Sequence, residues 1–295
     1  MPSNLVTAEL NWRTVVLRKI DELPVVLTSF AYRSEYFPEL DGMLATIKEH
    51  HPEWGIIAGK GPVPGAALPT LEVVSLAGNL HWALPVPLNL DGSEDDWRKV
   101  TRMKAWWMSR VWHHLAALEE SEPRRVIWLD ADARLNGKLD IELEPERETI
   151  AAPRDLDPDY PDLDIICSGL LFVQGAAGGP VERILDRWSS ACLAQIQDLR
   201  PPTVPWLDGD QEVLNEVIAD LSDLKDEYKL LKLEHDKYAA YANRDGTTLP
   251  GALVDQWQMS RKMKFPECRE RDWPPPEEAR RRADREKRNY GVSVE

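Results

Sequence analysis

The chain has only three cysteines in 295 residues, Cys167, Cys192 and Cys268, far apart and odd in number. Neither a disulfide framework nor a zinc spacing follows from them. Long hydrophobic runs are also missing, and no stretch approaches the roughly 18 apolar residues of a membrane span. The opening MPSNLVTAELNWRTVVLRKIDELP carries scattered charges and lacks the unbroken apolar segment of a signal peptide. These absences lead to the expectation of a soluble, cytoplasmic protein with no membrane span. Net positive charge is lacking too: the formal charge is −15, which argues against a broad nucleic-acid-binding surface. The exception is Gln258 to Tyr290, with 11 Lys/Arg against 7 Asp/Glu, which leaves about −19 on the rest. A basic tail on an acidic body is more often a solvated helix than a polyanion contact.

What is present is an alternation of short apolar runs with amphipathic segments. LPVVLTSFAY (23–32), WGIIAGK (54–60), LEVVSL (71–76), VIWL (126–129) and IICSGLLFV (165–173) read as strands. Helices are expected over FPELDGMLATIKEHHP, ending at Pro52, and over 95–120, PVERILDRWSSACLAQI and DGDQEVLNEVIADL. Such alternation predicts an α/β fold, a parallel or mixed sheet with helices on its faces, and the length allows one large domain or two small ones. The expected organisation is an N-terminal extension over 1–22, the domain over 23–265, and a charged, helical tail over 266–295. Twelve tryptophans are many for this length, so several must be core and some could line a pocket.

The stretch RRVIWLDADARLNGKLD (124–140) is a buried-strand pattern that ends in acid. Asp130 and Asp132 stand two residues apart, just before the turn signal Asn136-Gly137. A bare D-x-D is often only a solvated turn. Two carboxylates this close also suit a hard divalent cation, which prefers oxygen ligands and relieves their repulsion. In open α/β sheets ligands bind beyond the carboxyl ends of strands. Thr28-Ser29, Asp130/Asp132 and Ser168-Gly169 are all expected at or near such ends.

In this order the motifs resemble the GT-A class of nucleotide-sugar glycosyltransferases, especially glycogenin- and galactosyltransferase-like enzymes. The matching pieces are VVLTSFA, RMKAWWMSRVW, VIWLDADA, and CSGLLFV followed some forty residues later by GDQEVLN. The likeness covers roughly residues 23–264 and implies a GT-A, Rossmann-like fold, with a mixed, mostly parallel sheet in a single large domain. It implies that Thr28, Ser29 and Phe30 cradle the nucleoside, and that Arg102 and Lys104 face the donor. Asp130 and Asp132 would hold Mn²⁺ or Mg²⁺, with Asp130, Ser168 and Gly169 close to the nucleotide sugar. Asp210 would accept a donor-sugar hydroxyl and Gln211 would face the anomeric carbon, a pattern of retaining relatives. An inverting enzyme would instead need a carboxylate base, for which Asp208 or Asp210 is available.

Departures from the family pattern are specific. Cys167 stands where the family often has Asn. The late histidine motif with Gly and Lys-Pro-Trp is replaced by ALVDQWQMSRKMK (252–264). Asp255 is therefore the expected third metal ligand, with His235 its rival, and Lys264, Arg261 or Lys262 the expected pyrophosphate contacts. TSFAYRSEYFPE lacks glycine, which counts against a nucleotidyltransferase that builds sugar nucleotides. The expected partners are a nucleotide-sugar donor, UDP by default, and a hydroxyl acceptor, a saccharide or small molecule in preference. The alternatives are a hydroxylated DNA base as acceptor, or a non-catalytic nucleotide-sugar-binding module.

Overall fold

The computed structural model describes residues 18–22, 24–66, 69–75, 78–88, 90, 95–117, 123–154, 165–197, 209–241 and 250–256. The expected tail (266–295) and most of the segment 1–22 lie outside the described residues. In chain order the strands are β1 (Arg18–Lys19), β2 (Val26–Tyr32), β3 (Gly55–Gly61), β4 (Thr70–Ser75), β5 (Gly78–Ala83), β6 (Arg124–Leu129), β7 (Ala133–Leu135), β8 (Glu142–Leu143), β9 (Thr149–Pro153), β10 (Leu170–Gly175), β11 (Lys229–Leu233), β12 (Ala240–Tyr241) and β13 (Val254–Gln256). The α-helices are α1 (Phe37–His50), α2 (Asp95–Ala116), α3 (Pro180–Gln197), α4 (Asp210–Asp220) and the single turn α5 (His235–Tyr238).

Eight strands form the central sheet in the order β11-β9-β10-β6-β2-β3-β4-β5. The ladders β6–β2, β2–β3 and β11–β9 are parallel, and the other four are antiparallel. Only β4 and β10 run against the rest, so six of the eight strands share one direction. This is the mixed, mostly parallel, helix-flanked sheet expected from the alternation and the family resemblance. No helix among the described residues is long and apolar enough to cross a membrane.

The second part of strand β6, residues 126–129, shows why its sequence is apolar. Side chains alternate between the faces of a strand. Val126 and Trp128 enter the core under α2, α3 and α4, while Ile127 and Leu129 enter the core under α1. Both faces are covered there, which favours apolar side chains, whereas Arg124 and Arg125 at the start of the strand are buried with polar partners, Glu182 and Gln174. The tryptophans divide along the same lines: Trp107, Trp112 and Trp188 are wholly buried between sheet and helices. The end of the segment read as an N-terminal extension is stitched to this body. β1 pairs with β8, and Ile20 is fully buried.

Two strands differ from expectation in ways that bear on the site. β2 continues to Tyr32, so Thr28-Ser29 lies inside the strand rather than at its end. The segment read as a strand over 165–173 forms only an isolated bridge at Ile166, and the strand proper begins at Leu170. Ser168-Gly169 therefore precedes β10. Because β10 is antiparallel to β6, with Leu170 opposite Leu129, its start lies beside the carboxyl end of β6. A reversed strand delivers Ser168-Gly169 to the edge where ligands are expected.

Candidate functional site

Alternation along β6 continues one residue past its end. Asp130 falls on the Trp128 face, towards α2, and its amide donates to Gly169 O at 2.9 Å. There it meets Lys104 of α2. The Lys104 ammonium lies 2.9 Å from Asp130 Oδ1 and 3.0 Å from Asp210 Oδ2. It also donates to Ser168 Oγ at 3.1 Å and Ser168 O at 3.2 Å. Asp130, Ser168 and Asp210, spread over 80 positions of the chain, thus surround one cation. The Lys104 side chain is 7% exposed and that of Asp130 33%, so the cluster is walled on one side and open on the other.

The surrounding groups hold this arrangement in place. Ser168 Oγ donates to Asp210 Oδ2 at 2.7 Å, and the Ser168 amide donates to Gln211 Oε1 at 3.2 Å. Trp188 of α3 donates to the Asp210 carbonyl at 2.8 Å. Trp128 Nε1 donates to Asp130 Oδ1 at 2.7 Å, and the Lys104 ammonium lies 5.3 Å from the Trp128 ring centroid. Asn215 clips the Ile166 segment to α4: its carbonyl accepts from Ile166 N and its amide donates to Ile166 O, each at 2.9 Å. The sequence singled out neither Trp128 nor Asn215 for these roles, although both sit within the quoted motifs.

Electrostatics follow from the geometry. Burial alone would lower the Lys104 pKa, but Asp130 and Asp210 more than offset it and hold the ammonium charged above the ordinary lysine value. Burial pushes the Asp130 carboxyl up, against the opposing pull of Lys104. Cys192 of α3 is pushed well above the usual thiol value, by burial and then by Asp210, while Arg102 and Lys104 pull the other way. Arg102 is itself 4% exposed. It belongs to the inner wall between α2 and α3.

Several of the expected site residues have their side chains engaged within the protein. Thr28 and Ser29 are fully buried. Thr28 Oγ1 donates to Ile57 O at 2.8 Å and accepts from Trp107 Nε1 at 2.6 Å, while Ser29 Oγ donates to Leu129 O at 2.6 Å. These hydroxyls tie strands and α2 together, because inside a covered sheet every polar group needs a protein partner. Phe30 is packed between Trp107 and Trp128, with centroids 5.5 and 5.6 Å away. Phe30 keeps 8% of its surface exposed, while Thr28 and Ser29 keep none. The carboxyl end of β2 is instead Tyr32-Arg33, where exposed Arg33 has φ 97°, a strained conformation for a residue with a side chain.

Asp210 does not cap its helix. The N-cap is Gly209, whose amide donates to Glu212 Oε2 at 2.9 Å, and this frees the Asp210 carboxylate for Lys104 and Ser168. Asp132 sits half-buried in the turn after Asp130. Asp255 is brought near the motif by pairing of β13 with β7. Val254 enters the core under α1, the Gln256 amide lies over Gly169, and Asp255 between them is in register with Arg134. It is 1% exposed, and its Oδ1 has no hydrogen-bond partner among the described residues. Asp130, Asp132 and Asp255 are not among the described groups whose three ligand atoms lie within 4.8 Å of one another. His235 heads α5, 8% exposed, with Nδ1 3.3 Å from Asp236 Oδ1. Asp208, Lys264, Arg261 and Lys262 lie outside the described residues.

Gly169 marks a small polar notch. A Cβ there would lie 3.0 Å from Gln256 Nε2 and 3.3 Å from Asp130 Oδ2. Gln256 is 5% exposed, and its amide nitrogen has no hydrogen-bond partner among the described residues. Asp130 Oδ1 is engaged by Lys104 and Trp128, which leaves Oδ2 for this notch. The absence of a side chain at residue 169 keeps the notch open.

No protein-family model and no curated protein matches the chain. One solved structure, a glycosyltransferase involved in the glycosylation of the major capsid of PBCV-1, superposes with a TM-score of 0.48 at 11% identity. The alignment covers 84% of this chain and 99% of that one. What the chain does has to be read from its own residues.

Proposed function

We propose that the chain is a metal-dependent glycosyltransferase, moving a sugar from a nucleotide-sugar donor, a UDP-sugar in preference, to a hydroxyl acceptor with retention of configuration. The carrying observation is the convergence of Lys104, Asp130, Ser168 and Asp210 at the carboxyl end of β6. These residues come from the separate sequence pieces that resemble the GT-A class. A fold alone would not require a lysine shared by two carboxylates at an open strand end.

The residues suit the chemistry. Asp130 through Oδ2 and Asp132 offer two carboxylates to a Mn²⁺ or Mg²⁺ whose remaining positions would be filled by diphosphate oxygens and water. Such an ion supplies Lewis-acid stabilisation of the departing nucleoside diphosphate. Asp255, paired through β13 to the strand that follows the acid motif, is the candidate third ligand. Lys104 adds a fixed positive charge that needs no reorganisation as charge develops. Asp210, held by Ser168 and by Trp188 through its backbone, presents its carboxylate to a donor-sugar hydroxyl. Gln211 buttresses Ser168 and lies next to the anomeric carbon. A saccharide or small-molecule acceptor suits the acidic body better than a polyanion does.

A panel of nucleotide sugars, assayed for hydrolysis and for thermal stabilisation with and without Mn²⁺, tests the reading. Hydrolysis of one donor that depends on Mn²⁺ is expected, and Asp132→Ala should slow it at least about a hundredfold, or about 2.7 kcal/mol, without changing the metal-free melting temperature. Nucleotide-sugar binding without any turnover would identify a binding module instead. Neither binding nor turnover with any donor would refute both.

A further inference from the structure

Away from the acid motif, α2 and α3 bring together a second set of metal-ligating groups. His113 of α2 and Glu182 and Asp186 of α3 each offer a ligand atom, all within 4.8 Å of one another. Glu182 and Asp186 are four residues apart and so share a helix face. His113 Nε2 already lies 2.9 Å from Asp186 Oδ1. Both carboxylates are steered by neighbours. Trp112 Nε1 and Arg124 Nη1 donate to Glu182 Oε2 at 2.9 and 3.2 Å, and Ser109 Oγ donates to Asp186 Oδ1 at 2.7 Å. Trp112 is fully buried and Arg124 is 5% exposed, so this outer shell is rigid.

We propose that His113, Glu182 and Asp186 form a second cation site, for Zn²⁺ or a similar borderline transition metal, that clamps α2 to α3. The donor set decides the class of ion. An imidazole with two carboxylates suits zinc, whereas magnesium prefers oxygen throughout. The outer hydrogen bonds orient the ligands as second-shell partners do in protein metal sites, and each carboxylate retains a second oxygen. Of the two carboxylates, Glu182 is paired with the Arg124 guanidinium and Asp186 with the His113 imidazole. The side chains of His113 and Asp186 are 44% and 45% exposed, so an ion can enter and keep water in its remaining positions. Tetrahedral ligand atoms around zinc stand about 3.4 Å apart, so the present spacing closes by small rotamer changes, with the metal replacing the proton between His113 and Asp186.

This site is distinct from the acid motif. Arg124 opens β6 and Asp130 follows its end, six residues on, so the two centres are about 20 Å apart at about 3.3 Å per residue. Its role is to fasten two helices that also shape the donor site, α2 through Lys104, nine residues before His113, and α3 through Trp188, two residues after Asp186. An ion bound only by the folded chain stabilises it by mass action.

The test uses the metal-free full chain without nucleotide, titrated with Zn²⁺ by calorimetry and thermal shift, and with Co²⁺ by visible absorbance. The expected result is stoichiometric Zn²⁺ binding, a raised melting temperature, and a cobalt spectrum of low coordination number. His113→Gln retains a donor to Asp186 but is a poor zinc ligand. That variant and Asp186→Asn should each weaken Zn²⁺ binding at least about tenfold, while Asp132→Ala should leave it intact. Absence of stoichiometric Zn²⁺ binding, full binding by His113→Gln, or loss of binding in Asp132→Ala would each overturn the proposal. The outcome does not depend on whether the chain transfers sugars.

Discussion

Lys104 Nζ sits 2.9 Å from Asp130 Oδ1, and this ion pair neutralises the first carboxylate of the acid motif from inside the protein. The same ammonium reaches Asp210. Removal of it in Lys104→Met would leave two neighbouring carboxylates without a counter-charge. Loss of one partner from a buried pair costs about 3 kcal/mol or more. The variant should melt lower and should lose donor turnover by at least about a hundredfold. Near-normal turnover in a destabilised Lys104→Met would reduce this lysine to a structural ion pair.

Gln211 and Glu212 are neighbours with separate tasks, which allows capping and chemistry to be measured apart. Glu212 accepts the Gly209 amide, so Glu212→Ala should cost about 1 kcal/mol of stability and leave turnover close to normal. Gln211 accepts from the Ser168 amide beside the proposed donor site. Gln211→Ala should lower the turnover number well beyond its effect on melting. Equal loss of melting temperature and normal turnover in both variants would assign Gln211 to the scaffold.

Thr28 tests the role of the buried hydroxyls in the first strand. Thr28→Val would leave the buried Trp107 indole N–H without its acceptor, a penalty of about 1–3 kcal/mol. Stability should fall, while the Michaelis constant for the donor stays within about twofold, a difference of about 0.4 kcal/mol. A large rise in that constant with unchanged melting would place Thr28 in the nucleoside pocket.

Asp140 should give the stability curve an acid limb. Burial favours its neutral form, but hydrogen bonds from Lys237 Nζ, at 2.5 Å, and from the Tyr238 hydroxyl more than offset this and hold its pKa below the ordinary aspartate value. A depressed carboxylate stabilises the fold above the unfolded-state pKa, and that contribution is lost as pH falls through the folded-state pKa. Asp140→Asn should therefore melt below the wild type at neutral pH. The gap should close as pH drops below about 3.9, and a gap constant down to acid unfolding would contradict the assignment.

Much of the sheet was legible because both its faces are covered. Residues 126–129 had to be apolar throughout, and the period-two pattern then carried Asp130 to the α2 side. β5, β9 and β11 were not legible. GNLHWA, TIAAP and KLLKL have weak β character, and β11 is a strand only because β9 offers it a parallel edge.

Within the site, the acidic pair, Lys104 and the D-Q-x-x-L-N start could all be read as local patterns of residue type and order. Their common meeting point could not. It depends on β10 running antiparallel to β6, which brings Ser168-Gly169 back to the end of the strand that precedes Asp130. Sequence placed Thr28 and Ser29 at a strand end and Asp255 at the motif. Tertiary structure added what pairing decides: β2 runs four residues past Thr28, which buries both hydroxyls, and β13 pairs with β7, which brings Asp255 near the motif. The local pattern of a chain specifies which groups are available. Direction, register and face are properties of pairing between distant segments, and they decide which of those groups meet.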